Sequence, residues 1–419
     1  MNTQPRASAL APFGIRSFRY QWPADLVTSW AFEMETLILG WYVLVETRSV
    51  LMLTIFASLL YLGTLLAPMF GVMGDRIGHR YVLCAMRTLY ATLATLLMIL
   101  AFMQALTPMT VLAITAVFGL VRPSDIGMRT AMVGETMPPA QLMGAMGIQR
   151  TTQDSARIAG ALTGAGLVAL MGMGPAYAVV VCFYVTSVLL TLKAGRVGMA
   201  PEVTAGTAAA RPTPWRDLRE GLSYVWHAPH LRATMLFAFL LNLTAFPLFN
   251  GLMPYVTKVV YGADQTTLGT MVAAAATGSL TGSIIMSRFG GAFPPARTML
   301  IFGAAWLGVL LVFANTSSTT SGIPALMLAG CMQTMGLIPI NTLLLRTSDP
   351  RYRGRIMGIR MMAIYGNLPG LLLAGPLIAS FGYASIATAY CLFGITAAAL
   401  IGLYWRQHLW QSGASANTR

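Results

Sequence analysis

The chain has 419 residues, 56% of them hydrophobic and only 10% charged, with a net charge of +14 and a mean hydropathy of +0.67. Water-soluble domains carry about 25% charged residues, so this composition excludes a soluble enzyme, a disordered chain and a free nucleic-acid-binding domain. The basic residues fall between long apolar runs, so their excess reports membrane topology and no nucleic-acid partner is expected.

The residues before Trp22 include Arg6, Arg16 and Arg19 but no apolar core of a leader, so no cleavable signal peptide is expected. A helix that crosses the hydrocarbon needs about 20 apolar residues. Twelve spans are predicted. Six lie in the first half: Trp22–Val45, Val50–Gly71, Tyr81–Met103, Met109–Val133, Leu142–Leu170 and Pro175–Leu192. Six lie in the second: Arg232–Val256, Thr266–Ser287, Thr298–Ala314, Ile323–Leu345, Ile356–Ser380 and Ala384–Trp405. The domains predicted are an N-terminal six-helix bundle (1–192), a linker (193–231) and a C-terminal six-helix bundle (232–419).

Between the bundles, Ala200–Pro214 is rich in Ala, Thr and Pro and reads as a flexible linker. Trp215–Trp226 has the pattern of a short amphipathic helix on the membrane surface or, equally, of a solvated stub of span seven. One membrane side holds the N-terminal arginines, Arg76, Arg80, the segment Lys193–Arg232, Arg288, Arg297 and the cluster Arg346, Arg351, Arg353 and Arg355. The other side holds Arg48 and Lys258. The positive-inside rule puts both termini and the linker in the cytoplasm. A multi-pass protein of a bacterial inner membrane is expected, in contact with the lipid bilayer and monomeric.

Two patterns recur at nearly one offset, 212 and 211 positions. Gly71-Val-Met-Gly-Asp75-Arg76-Ile-Gly78 after span two is echoed about 212 positions later by Ser283-Ile-Ile-Met-Ser287-Arg288-Phe-Gly290 after span eight. Pro139 with Met146-Gly147-Ile148 is echoed by Pro350 with Met357-Gly358-Ile359. A duplicated six-span unit explains both, and because six is even the copies run parallel. The string Gly71-x-x-x-Asp75-Arg76-x-Gly78-His79-Arg80 resembles the loop signature of the major facilitator superfamily. The segments around Pro139–Gly164 and Asp349–Gly375 resemble its branch of enterobactin and macrolide exporters, which are drug–proton antiporters. The fold this implies is all-α and membrane-integral, with twelve transmembrane helices in two parallel, pseudo-symmetric six-helix bundles. The function implied is secondary transport by rocking of the two halves about a mid-membrane site. At Gly160-Ala-Leu-Thr-Gly164 the chain departs from the exporters' Gly-Pro string by lacking the Pro, whereas Pro376 follows Gly375 in span eleven.

The resemblance makes Gly71, Asp75, Arg76, Gly78 and Arg80 gating residues, with Asp75 meeting the start of span eleven near Arg353–Ile356. The glycines suit tight turns and close helix approach. Ser287 replaces the acid in the second copy. His79 stands where the family has a basic residue and is expected at the surface.

Ionisable groups at membrane depth are costly unless paired or hydrated, so each is a functional candidate. With Asp25 as reference, an ideal helix sets Ser29, Thr36 and Glu33 within about 80° on one side and Thr28 and Glu35 within about 80° on the other. This polar face is expected to meet a water-filled cavity. Glu33 or Glu35 is the candidate proton carrier, and either is a candidate ligand for a cationic substrate. Asp25 is a further candidate or a structural partner of an Arg. Span four carries Arg122, Asp125 and Arg129 on one face, and span five carries Arg150, Asp154 and Arg157. These pair within their helices, or else Arg122 tunes a span-one glutamate and Arg129 reaches the Asp75 gate. In the second half Asn242, Phe246, Asn250, Gln333 and Asn341 are candidate cavity-lining groups.

The substrate expected is a bulky, partly apolar small molecule such as a drug or siderophore, exported against protons; proton-coupled uptake is the alternative. A channel or a receptor fits the duplicated halves less well. No enzyme is predicted: the sequence has no phosphate-binding Gly-rich loop with Lys and no metal-ligand spacing, and its four cysteines stand singly, so no cofactor and no metal are expected.

Overall fold

The computed structural model describes residues 11–194, 214–289, 294–348, 356, 359–360 and 362–410. Outside these lie the start of the linker, Arg211, Gly290, Pro350, Arg351, Arg353, Gly354, Arg355, Met357 and Gly358, so the predicted meeting place of Asp75 near Arg353–Ile356 falls almost wholly beyond the described residues.

Regular structure among the described residues is helical. In chain order the helices are α1 (Arg16–Thr47), α2 (Val50–Leu59), α3 (Ala67–Ile77), α4 (His79–Phe102), α5 (Pro108–Thr136), α6 (Pro139–Met171), α7 (Met173–Lys193), α8 (Pro214–His227), α9 (Pro229–Phe246) and α10 (Met253–Tyr255). After these come α11 (Gln265–Phe289), α12 (Pro295–Ala314), α13 (Thr319–Thr347), α14 (Asn367–Phe381), α15 (Tyr383–Tyr404) and α16 (Arg406–Trp410). Among the described residues, nine helical stretches are long and apolar enough to cross a membrane. The protein is therefore an all-helical, multi-pass membrane protein. Helices α1 and α6, of 32 and 33 residues, are longer still but carry charges along their length.

Three predicted spans are broken, each for a local reason. Span two is interrupted by a 3-10 turn at Leu62–Leu66, and Pro68 opens α3. Span seven holds a π-turn at Pro247–Gly251, and a second, Val256–Val260, begins at its last residue. Prolines at 247 and 254 lack the N–H that would continue an α-helical ladder there. In span eleven a 3-10 turn at Ala363–Gly366 leads into α14.

The chain divides into two compact units. One comprises Met1–Ile38 and Leu65–Arg211; the other comprises Leu39–Thr64 and Pro212–Arg419. In the first, α4 lies along α7, and the foot of α1 packs through Phe18 onto Val133, Met137 and Ala145 at the α5–α6 connection. In the second, α13 is central, packed on α11 and α12, and α2 lies along α14. Small residues set these approaches: a Cβ on Gly278 would fall 1.7 Å from the Met327 carbonyl oxygen, and one on Gly330 would fall 2.0 Å from that of Ala275. The α11–α13 contact is thus backbone against backbone, the usual means of close packing in lipid.

Candidate functional site

The first unit is built around the polar residues of α1. Three helices take three arcs of it. Toward α5, Phe32 packs edge-on against Phe118, Arg122 donates to the Thr36 hydroxyl at 3.0 Å, and Arg129 donates to the Ser29 hydroxyl at 2.7 Å. Toward α7, Thr28 bonds Ser187 at 2.5 Å, and the Tyr184 hydroxyl donates to Glu35 Oε2 at 2.7 Å. Toward α6, the Trp30 indole donates to Thr163 at 2.8 Å, and a Cβ on Gly160 or Gly164 would strike Glu33 Cβ, the Trp30 carbonyl or Met34 Cα. The glycines at 160 and 164 thus allow the close packing expected of them, without a proline.

This arrangement divides the acids that the sequence leaves equivalent. Asp25 is buried and paired with Arg87 of α4. Arg129 Nε lies 3.7 Å from the same carboxylate, and Gln149 of α6 donates to its other oxygen at 3.3 Å. Arg129 also pairs with Asp125 one turn before it on α5, and its carbonyl accepts from Gln21 at 3.1 Å. Two aspartates and two arginines therefore form a compensated, buried cluster that ties together α1, α4, α5 and α6. Arg87 donates further to Thr191 of α7. Asp25 is in the arginine partnership expected as one of its two readings.

Glu35 is also buried, 4% exposed, with Tyr184 on its carboxylate and the buried Tyr177 about two turns before it on α7. The polar face of α1 is therefore largely packed against protein instead of open to water at Asp25 and Glu35. The reason is that α4, α5 and α7 supply arginines and hydroxyls that satisfy it. Glu33 differs. It lies on the arc of α1 between the α5-facing and α6-facing sides, is half-buried, and has no ion pair or hydrogen bond among the described residues. Arg122, the nearest cation along α5, holds its guanidinium over the rings of Phe32 and Phe118, at 5.2 and 5.9 Å from their centroids.

On α6, Arg150 and Asp154 form the predicted i, i+4 pair at 3.3 Å, while Arg157 has a contact of its own. In the loop signature, Gly78 has φ +96 and makes the turn between α3 and α4. Gly74 gives room to His79, whose ring carbon a Cβ there would meet at 2.7 Å. Gly71 sits within α3 with open space around it, so no turn or close contact accounts for it. Arg76 is exposed. Arg80 donates to the carbonyls of Thr191 and Leu192 and so caps the end of α7. His79, expected at the surface, is buried: its Nδ1 is 2.6 Å from Glu135 at the end of α5.

The second unit presents neutral groups. Asn242 donates to the Ala238 carbonyl at 2.8 Å and accepts from Asn367 at 3.2 Å. Gln333 accepts from Ser279 at 3.3 Å. Asn341 has a buried carbonyl oxygen without a partner among the described residues, and Asn250 has a partner of its own. Phe246 and Phe249 stand edge-on to the buried Trp306, with centroids at 5.1 and 5.6 Å. No group of three or more metal-ligating side chains exists among the described residues.

Sequence reasoning overlooked Arg87, Gln149 and Tyr184. Arg87 carried a signal, being a charge inside an apolar run. Tyr184 carried none, since an aromatic in a span reads as packing.

With the helices and their charges in place, the comparisons give the class. The family model of the Major Facilitator Superfamily matches residues 26–371, and the chain belongs to that family. It is a transporter and not an enzyme. No curated protein matches it by sequence. Among solved structures, it is similar to the POT family transporter PepTSo, with TM-score 0.75 and 13% identity over 94% of this chain and 99% of that one. It is also similar to the nucleoside transporter NupG, with TM-score 0.71 and 13% identity over 92% and 98% of the two chains. The E. coli fucose:proton symporter FucP gives TM-score 0.59 and 15% identity over 92% and 98%. At these identities the likeness is one of fold.

Proposed function

We propose that the protein is a proton-coupled efflux carrier for a bulky, partly apolar small molecule, working by alternating access with twelve spans arranged as two parallel six-helix halves. The proposal keeps the exporter branch as its nearest functional relative and places both termini in the cytoplasm of a bacterial inner membrane. The observation that carries it is Glu33: a carboxyl part-way along a predicted span, half-buried and with no ion pair or hydrogen bond among the described residues. Such a group is tolerated only where water, a proton or a cationic ligand reaches it. Glu33 therefore exchanges its proton against substrate. Glu35, fixed by Tyr184, holds the neighbouring turn of α1 to α7. The neutral amides at Asn242, Gln333 and Asn341 and the Phe246 and Phe249 rings suit a ligand recognised by shape and apolar contact. Asp75, Arg76, Gly78 and Arg80 remain the proposed gate, with Arg129 committed to the buried cluster.

The test is flux of a fluorescent drug panel headed by ethidium, in proteoliposomes with an imposed pH gradient of either sign. Movement toward the more acidic side supports antiport. Accumulation with the proton gradient indicates uptake by symport, the second reading, which the fucose:proton symporter of like fold keeps in view. A flux that ignores the gradient removes proton coupling altogether.

A further inference from the structure

Within the second unit, the linker helix α8 runs into α9 through Ala228. Its outer side leaves Leu222 and Trp226 exposed one turn apart, with Trp226 63% exposed, while Val225 beside them is buried. The end of α15 contributes Leu403, Tyr404 and Trp405, and Tyr404 is 78% exposed. Between α8 and α15 stands Arg232, in the first turns of α9. Its guanidinium lies 5.5 Å from the centre of the Trp226 ring and 5.6 Å from that of Trp405. Arg232 has no carboxylate partner among the described residues, and its Nε is buried without an acceptor. Two indoles thus cover the guanidinium, and with no carboxylate to take them its terminal nitrogens, on a half-buried side chain, are left for an acceptor from outside the protein.

A cation clamped between aromatics at the end of apolar spans is what the boundary between hydrocarbon and headgroups favours. Trp and Tyr rings sit at headgroup level, and Arg donates to phosphate in a planar fork. Arg406 follows directly on Trp405, while the charges at the start of α8 balance, Arg216 and Arg219 against Asp217 and Glu220. We propose that Trp226, Arg232 and Trp405 form a seat for the phosphate of an anionic phospholipid, on the membrane side that carries the linker, with α8 laid on that leaflet through Leu222 and Trp226. The seat would fix α8, and with it the end of the linker, to the lipid surface. This does not depend on the transported substrate or on proton coupling.

The probe is phosphatidylglycerol, titrated into the full-length protein in detergent micelles, with phosphatidylcholine and inorganic phosphate as separate arms. Retained lipid is read by native mass spectrometry and the thermal unfolding midpoint is followed in parallel. The wild type should retain phosphatidylglycerol in preference to phosphatidylcholine and be stabilised by it, while inorganic phosphate leaves the midpoint unchanged. R232Q should weaken that retention about fivefold, the worth of one basic group at an anionic surface. Trp226→Leu, an exposed change on α8 that leaves the bundle intact, should weaken it likewise and decides the matter if R232Q fails to fold. Equal retention by the wild type and Trp226→Leu would overturn the proposal, as would stabilisation by inorganic phosphate to the same extent. A Leu222→Cys variant that cross-links to a second copy of the chain while its lipid retention is unchanged would also overturn it, making this face a protein interface.

Discussion

At the residue scale four buried charges inside the first unit are partnered with one another. Asp25 is held by Arg87, with Arg129 beside it, and Asp125 is held by Arg129, in a place nearly closed to solvent. Removing one member of such a set leaves an uncompensated buried charge. Asp25→Ala should therefore destabilise the protein by about 3–5 kcal/mol, read as a large fall in the detergent unfolding midpoint; a near-wild-type midpoint would show the cluster to be hydrated instead. Tyr184→Phe removes one hydroxyl from Glu35 and should cost about 1 kcal/mol while leaving the proton-driven flux in place, because Glu35 is assigned to holding α1. The cluster also shows what the sequence could and could not tell. Helical spacing places Asp25, Glu33 and Glu35 on the polar side of one span, and it suffices to pair Arg150 with Asp154. Which acid is engaged depends on Arg87, Gln149 and Tyr184. These come from helices 62, 124 and 149 positions away in the chain, and no local pattern links them to α1.

At the scale of elements, most span edges follow from the apolar runs and their flanking prolines: α5, α6, α9 and α12 each begin at a proline in the first turn, as predicted to within a few residues. The breaks in spans two, seven and eleven were less legible, because hydropathy is blind to backbone continuity. Prolines at 247 and 254 imply bends, but a proline alone does not tell a kink from the π-turns found at Pro247–Gly251 and Val256–Val260. Gly278→Ala would put a methyl onto the Met327 carbonyl, and the α11–α13 pair must part to take it. The expected loss is about 1–3 kcal/mol, measured as unfolding midpoint; an unchanged midpoint would mean the helices are farther apart than described. At the opposite kind of site, Asp264 caps α11 by accepting from the Thr267 hydroxyl at 2.7 Å and its amide at 2.9 Å. These bonds hold its carboxyl below the usual carboxylate range. Since the folded value is the lower one, the cap's stabilisation is present above the ordinary carboxylate range and is lost as the pH falls through the folded value. Asp264→Ala should cost about 1 kcal/mol at neutral pH and nothing further in strong acid.

At the scale of the whole molecule, composition points to a membrane protein and the Gly71–Arg80 string resembles the loop signature of the superfamily, whose family model matches residues 26–371. Beyond that the charge distribution is lopsided. The buried ionic groups and the unpartnered carboxyl lie in the first unit, whereas the second answers with amides and aromatics. In the proposed mechanism proton exchange belongs to the first unit, at Glu33. Solved structures of similar fold include a nucleoside transporter and a fucose:proton symporter, and a shared fold does not fix the substrate. The most direct test compares two assays on Glu33→Gln in proteoliposomes: ethidium movement driven by a pH gradient, and ethidium counterflow with no gradient. The account predicts that gradient-driven movement is lost while counterflow survives. Gradient-driven movement at the wild-type rate in Glu33→Gln would contradict it.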